Sequence, residues 1–272
     1  MSLINAFKMD GLGNDFIIID RRKSKINLSK DKILQIKNRN NVRFDQIIYI
    51  EKEINNIIPI TIFNSDGNEV SACGNGSRCV AYLLSKEKKT NQIRLKTKNR
   101  VLEANIVEDF IVELKMGKPL FQWDKIPLSK KLDNKNISIN IDGKQLIEGF
   151  CLNIGNPHII FFVKDCFSYN IKSIGPKIEN YEIFPEKINV TFAQVIDDRN
   201  ILVNVWERGA GLTKACGTAA CATGVAASIK KLTINEVNIK FQDGILKIKY
   251  DENENIFMTG PVSKIKEIAF EI

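Results

Sequence analysis

The chemistry-bearing residues of this chain concentrate between Trp206 and Gly224. An apolar run, Ile201 to Trp206, delivers the charged pair Glu207 and Arg208, and a Gly209-Ala210-Gly211 turn follows. Cys216 then stands immediately before Gly217, Thr218 and a run of small residues that reads as a helix. A thiol in that place meets the unpaired N–H groups and the positive dipole end of the helix, which favour a thiolate and attract carboxylates. A lone Cys-Gly pair is more often an inert turn cysteine. This one has a counterpart: Phe63-Asn64-Ser65-Asp66-Gly67 leads to Cys73-Gly74-Asn75-Gly76-Ser77-Arg78-Cys79, again an extended run, a glycine turn and a Cys-Gly opening a helix.

The correspondence extends outward. Asn14, in Gly13-Asn14-Asp15-Phe16, precedes Cys73 by 59 positions, and Asn156, in Gly155-Asn156-Pro157-His158, precedes Cys216 by 60. Gln46 and Asn189 follow those anchors by 32 and 33, Asn64 and Glu207 by 50 and 51. Four pairs at a nearly constant offset describe one duplicated fold, with a polar site facing each cysteine. Two thiols in mirrored settings suit a reaction symmetric about one atom: a proton leaves one face of a carbon and another arrives on the opposite face. Two helix N-termini then hold the carboxylate beside that carbon.

Other chemistries lack their residues. No dinucleotide glycine fingerprint follows a strand and there is no phosphate loop. Cys73-x5-Cys79 and Cys216-x4-Cys221 are too wide for a zinc knuckle, so neither cofactor nor metal is expected. With one histidine in the chain, a hydrolase would have to use His158 as its base. The net charge of +8 arises from 40 scattered Lys and Arg rather than a basic stripe, which argues for a solvated surface and against nucleic acid. No apolar run approaches the ~18 residues of a membrane span. Residues 1–20 hold Lys8, Asp10 and Asp15 without a continuous apolar segment, so a signal peptide is not expected. The six cysteines then read as thiols of a cytoplasmic protein, and the expected partner is a small-molecule substrate.

At 272 residues with 44% hydrophobic content, the chain can fill two cores. Strands are expected at 3–9 and 16–20 around a turn at 10–15, with a helix from the N-cap Ser29 to about Lys37. Strands at 46–51 and 57–63 precede the first Cys-headed helix, Gly74 to about Lys86. Three more follow at 92–98, 101–107 and 110–116, and Gly117-Lys118-Pro119 then breaks the pattern. The second half repeats the plan: a hairpin at 137–141 and 145–154 about Asp142-Gly143, then strands at 159–163, 188–196 and 201–207. Between the first two of these, a poorly patterned connection around Ile174–Ile178 stands where the first half has its helix. After the helix from Gly217 come strands at 237–241, 245–250 and 256–259. The expected architecture is α+β: two pseudo-symmetric domains, each a mostly antiparallel curved sheet around a central helix, with the active site in the cleft between them. Domain one is 1–117 with 262–272 returning to it as a strand; domain two is 118–261.

The sequence resembles diaminopimelate epimerase, a cofactor-independent family that interconverts LL- and meso-diaminopimelate. Lys8-Met9-Asp10-Gly11-Leu12-Gly13-Asn14-Asp15-Phe16, Phe63 to Cys79, Gly155-Asn156-Pro157-His158 and Glu207 to Ala222 carry the likeness, which covers nearly the whole chain. The resemblance implies that Cys216 accepts the proton from the LL isomer and Cys73 donates one, with His158 and Glu207 tuning the two thiols. It also implies that Gly74, Asn75, Gly217 and Thr218 offer donors to the carboxylate at the reacting carbon. Arg208 suits the distal carboxylate, and Asn14, Gln46, Asn64, Asn156, Asn189 and Glu207 supply the remaining contacts. Arg43-Phe44 stands before Asp45-Gln46 where the family usually reads Gly-Ala. Ala219 replaces the usual Gly after Cys-Gly-Thr. Lys266 replaces an aromatic residue that supports dimers in some relatives, which weighs against the homodimer the resemblance otherwise allows.

Two rival readings separate on residues. A proline or hydroxyproline racemase of the same fold has no need of Glu207 and Arg208 as a clamp on a second amino-acid head. A thiol redox or metal-binding protein needs cysteines in close pairs. Replacing each cysteine by Ala discriminates further: Cys73→Ala and Cys216→Ala should each abolish epimerisation of LL-diaminopimelate with the fold retained. Cys79, Cys151, Cys166 and Cys221 should keep activity at some cost in stability. Comparable activity loss at Cys151 or Cys166 would show that the wrong pair had been chosen.

Overall fold

A computed structural model describes residues 3–24, 26–38 and 42–271, so position 272 of the expected return strand lies outside it. The chain folds as two compact units, Met1–Lys115 with Thr259–Ile272, and Met116–Met258. The first runs β1 (Leu3–Gly11), β2 (Asn14–Asp20), α1 (Lys30–Asn38), β3 (Gln46–Ile50), β4 (Ile58–Asn64), β5 (Glu69–Val70), α2 (Gly74–Lys88), β6 (Gln92–Lys96), β7 (Val101–Glu108) and β8 (Ile111–Gly117). The second runs β9 (Ile137–Ile141), β10 (Lys144–Asn153), β11 (Pro157–Phe162), α3 (Ile171–Glu179), β12 (Asn189–Asp197), β13 (Asn200–Glu207), β14 (Gly211–Thr213), α4 (Gly217–Ile229), β15 (Glu236–Phe241) and β16 (Gly244–Tyr250). The chain leaves it through β17 (Ile256–Pro261) and closes with β18 (Lys266–Glu271), which lies antiparallel to β1 with Leu3 opposite Glu271.

The ladders of the two units repeat one plan, down to the register. In the first unit β1 and β2 are antiparallel, β2 and β3 parallel with Phe16 opposite Gln46, and β3 and β4 antiparallel with Gln46 opposite Asn64. In the second, β10 and β11 are antiparallel, β11 and β12 parallel with His158 opposite Asn189, and β12 and β13 antiparallel with Val190 opposite Trp206. A short antiparallel strand and a parallel neighbour complete each set: β5 and β6 on β4, β14 and β15 on β13. The α+β duplication is therefore visible rung by rung.

Each unit wraps its sheet around one helix. Residues 75–85 of α2 are all buried, and so are ten of the residues between Gly217 and Ala227 of α4. A helix enclosed on every side must be small or apolar all round, and Gly-Thr-Ala-Ala-Cys-Ala-Thr-Gly-Val-Ala-Ala meets that need. The outer strands alternate instead. Leu102, Ala104 and Ile106 of β7 point inward while Glu103 and Asn105 face water, the period of two of a half-buried strand. Lys89, in the left-handed region at φ 53°, ends α2 and returns its N–H to the Ser85 carbonyl. Ser29 begins α1 as expected, its Oγ accepting from Lys32 N at 3.3 Å.

Two local expectations need correction. The connection around Ile174–Ile178 is a helix, α3, despite Gly175-Pro176 inside it. Those two residues are breakers in isolation, but packing decides here. A Cβ on Gly175 would lie 2.6 Å from Trp206 Cγ, so the helix backbone itself rests on the indole, while Ile171 and Ile178 are buried in the core. The first turn is also tighter than 10–15: β1 and β2 are joined by Leu12 and Gly13 alone, at φ 57° and 76°. Two consecutive left-handed residues make a type I′ turn, and Leu12 is an unusual occupant that strain normally excludes. Asp142-Gly143 forms the same kind of turn, at φ 53° and 77°, in the expected hairpin.

Close wrapping of α4 is testable at Gly224. A Cβ there would lie 2.8 Å from Ile248 Cγ2, 3.0 Å from Ile248 Cβ and 3.4 Å from Val237 Cγ1. Ala gains about 1 kcal/mol of helix propensity, against about 1–3 kcal/mol for overpacking a branched side chain. Gly224→Ala should be net destabilising in urea unfolding; a more stable variant would mean that the β15–β16 ladder yields freely.

Candidate active site

Strand direction assembles both half-sites. β2 and β3 run parallel and both start at one edge, β4 runs back and ends there, and α2 starts there. Asn14, Gln46, Asn64 and Cys73 occupy those four ends. In the second unit the same edge collects Asn156 just before β11, Asn189 at the start of β12, Glu207 at the end of β13 and Cys216 before α4.

In the first half-site Cys73 is the N-cap of α2, extended at φ −145° and ψ 112°, and its Sγ accepts from Gly76 N at 3.4 Å. The strained Leu12-Gly13 turn brings the β1–β2 hairpin onto the first turn of this helix. Gly11 lies close against it, since a Cβ there would sit 3.1 Å from the Asn75 carbonyl oxygen, a tight contact. Asn75 Nδ2 donates to Asn14 Oδ1 at 2.7 Å. Gln46 Nε2 donates to Asn64 Oδ1 at 2.9 Å, and the buried Gln46 Oε1 has no partner. The Gln46–Asn64 pairing is present with Arg43-Phe44 in place, and Phe44 is buried in the core.

The second half-site is denser. Cys216 caps α4 at φ −132° and ψ 112°, and Thr218 Oγ1 lies 3.5 Å from its sulfur. Asn156 Nδ2 donates to Thr218 Oγ1 at 3.2 Å, and Asn156 Oδ1 lies 3.0 Å from His158 Nε2. Asn189 is braced by the scaffold, with one N–H and one lone pair of its amide still open: Nδ2 donates to the Pro157 carbonyl at 2.7 Å and Oδ1 accepts from Arg208 N at 2.9 Å. Arg208 Nη1 donates to the Glu186 carbonyl at 2.9 Å, which holds the guanidinium. Ala219 fits the first turn of α4, fully enclosed. The Glu207 carboxylate faces Thr213 and the Cys216 thiol, and both favour its charged form.

Electrostatics correct one expectation. Helix N-termini favour thiolates, yet Cys216 is pushed well above the ordinary thiol range, first by burial and then by the neighbouring Glu207 charge. The Thr218 hydroxyl and the Ala219 N–H act in the opposite direction and are outweighed. Cys216 therefore rests as a thiol. Burial likewise raises Glu207, against the hydrogen bonds from Thr213 and Cys216. Burial, and then the Arg208 charge, push His158 down to about 3, so its ring is neutral and its buried Nδ1 has no partner.

Some working residues had no sequence signal. Glu179, at the end of α3, accepts from Trp206 Nε1 at 2.7 Å and from Gly209 N at 3.0 Å, pinning the segment that carries Glu207 and Arg208. It was hidden with its helix. Thr213 and Glu186 act through positions that only β14 and the turn before β12 create. The six cysteines are thiols outside any disulfide. Among the described residues no group of three His, Cys, Asp or Glu is placed to hold a metal ion, and no helix is long and apolar enough to cross a membrane.

The family model described as diaminopimelate epimerase matches residues 6–122 and 150–265. A diaminopimelate epimerase of Pelagibacter ubique (strain HTCC1062) is 51% identical over 272 residues, spanning 99% of this chain and 99% of that protein. One from Wolbachia sp. subsp. Drosophila simulans (strain wRi) is 40% identical, spanning 95% and 96%. Among solved structures, a phenazine biosynthesis family protein of Enterococcus faecalis superposes with a TM-score of 0.70 at 13% identity, covering 100% of both chains, a likeness of fold alone.

The buried neutral His158 makes stability depend on pH. An unfolded chain takes up this proton near pH 6.5, whereas the folded chain refuses it until about pH 3. The contribution is complete above the unfolded value and is lost as the pH falls through that window, by up to about 1.4 kcal/mol per unit. Urea unfolding between pH 7 and 4.5 should show a steeper loss in the parent than in His158→Gln. Parallel slopes would mean that His158 accepts a proton in the folded state.

Proposed function

Because the chain belongs to the diaminopimelate epimerase family, we propose that it interconverts LL- and meso-diaminopimelate by a two-base transfer at the α-carbon, with Cys216 and Cys73 as the two groups. The observation that carries this is the Cys216–Glu207 pair. A buried thiol touches a carboxylate whose own proton affinity is raised, and Cys73 occupies the matching N-cap of the duplicate.

The steps balance without a cofactor. Cys216 gives its proton to Glu207, and the resulting thiolate removes the α-proton of the LL isomer. Thr218 Oγ1 and the Ala219 N–H are the groups that stabilise negative charge on that sulfur. The Cys73 thiol donates to the opposite face of the carbon, leaving Cys73 as the thiolate, Cys216 as the thiol and one proton on Glu207, which solvent exchange returns to Cys73 before the next turnover. The meso isomer runs the sequence backward. The carboxylate at the reacting carbon is bound by the amides of Gly74, Asn75, Gly217 and Thr218, preorganised donors that take up charge spreading from the carbanion. Arg208, held by Glu186, meets the distal carboxylate. Asn14, Gln46, Asn64, Asn156 and Asn189 supply further polar contacts to the substrate. His158, neutral at working pH, tunes the second thiol. The reading places the enzyme in the cytoplasm, in lysine and cell-wall precursor synthesis.

Incubation with LL-diaminopimelate in heavy water tests this. One deuterium should enter at one α-carbon as the meso form appears. In the same assay Glu207→Gln should lower kcat by about 10²–10⁴-fold, the range for removing a general base. Epimerisation without deuterium uptake, or a fully active Glu207→Gln, would defeat the scheme.

A further inference from the structure

The scheme above leaves Arg78 without a part, although it is fully enclosed, in the second turn of α2. A guanidinium carries five donors and no acceptor and keeps its charge at any working pH. Its Nη2 donates to Asn75 Oδ1 at 3.0 Å. That contact determines which end of the Asn75 amide faces inward: it must be the oxygen. The nitrogen end is left for Asn14, which therefore has to offer its own oxygen, and does so at 2.7 Å. The Asn14 NH2 is thereby the end left for a ligand.

We infer that Arg78 is a positioning residue for substrate recognition: acting through Asn75, it locks the Asn14 amide so that this position can only donate a hydrogen bond to the substrate. The inference rests on diaminopimelate being the substrate. That molecule carries two ammonium groups, which only donate, and two carboxylates, which only accept. An unlocked asparagine can turn over and pair with either. A donor-only Asn14 accepts a carboxylate and rejects an ammonium, so the lock helps to decide which way round an amino-acid head sits.

The duplicate half-site lacks this device. Cys221 stands five residues after Cys216, where Arg78 stands five after Cys73. There the Asn156 amide is held between Thr218 and His158 instead. The polarity lock therefore belongs to one side of the repeat, where an otherwise symmetric fold must treat its substrate asymmetrically.

The test uses LL-diaminopimelate and the isosteric variant Asn75→Asp. It keeps the acceptor for Arg78 and removes the N–H that the Asn14 oxygen needs, so Asn14 must turn its NH2 inward. KM should rise about tenfold or more, the size of one lost hydrogen bond to a charged group. Arg78→Met should act in the same direction, and Arg78→Lys, still a pure donor, should retain more of the affinity. In an Asn14→Ala background Asn75→Asp should add less than about twofold, since coupled residues are not additive. Circular dichroism and thermal unfolding accompany each variant, and Asn75→Asp carries the test if Arg78→Met does not fold. A folded Asn75→Asp with unchanged KM, or an effect that persists in full on Asn14→Ala, overturns the role of Arg78. A parent protein inactive on diaminopimelate is a different result and overturns the functional reading beneath it.

Discussion

The structure depends on a central helix that is wrapped on every side. Once a sheet encloses α2 or α4, its flanks are committed to packing and only its ends can meet a ligand. The N-terminal end carries unpaired N–H groups and the positive pole of the dipole, so it is the end where an anionic substrate belongs. Parallel pairing of β2 with β3, and of β11 with β12, then brings strand starts to that same edge. The cysteine, the asparagines and the acid arrive there because chain direction leaves no other place for them.

Duplication explains the balance of the two half-sites, and the departures from symmetry explain their division of labour. Phe16 and His158 occupy the same rung, opposite Gln46 and Asn189. In one unit that rung is part of the packing against Gly76, where a Cβ would lie 3.2 Å from Phe16 Cε1. In the other it begins a hydrogen-bonded chain from His158 through Asn156 and Thr218 to the Cys216 sulfur. Asn64 and Glu207 are likewise matched, and only the acid confronts its cysteine with negative charge. A protonated Cys216 and a proton-hungry Glu207 suit a base that must be generated when substrate arrives rather than stored as an exposed thiolate.

The support for these groups is costly and local. Leu12 sits in the left-handed region so that Asn14 can start β2 against the helix mouth. Glu179 is a buried carboxylate whose two oxygens hold the Trp206–Gly209 segment. Neither feature makes sense as packing alone. Both place a side chain that the proposed reaction uses.

What the sequence determined by itself was the repeat and its chemistry. Equal spacings from Asn14 and Asn156 located four matched positions, and Cys-Gly before a run of small residues located both helix mouths. Apolar alternation located most strands, because one buried face imposes a period of two whatever lies across it. What only the tertiary structure decided was everything set by a neighbour distant in the chain. α3 exists because Trp206 accepts a bare glycine backbone, a contact no local propensity encodes. Cys216 is a thiol because enclosure and the charge of Glu207 outweigh the helix end that its own sequence supplies. The Arg78–Asn75–Asn14 chain joins residues up to 64 positions apart, and its polarity follows from a guanidinium that can only donate. Residue types carry chemistry, but desolvation and hydrogen-bond direction are properties of surroundings, and surroundings exist only after the chain has folded.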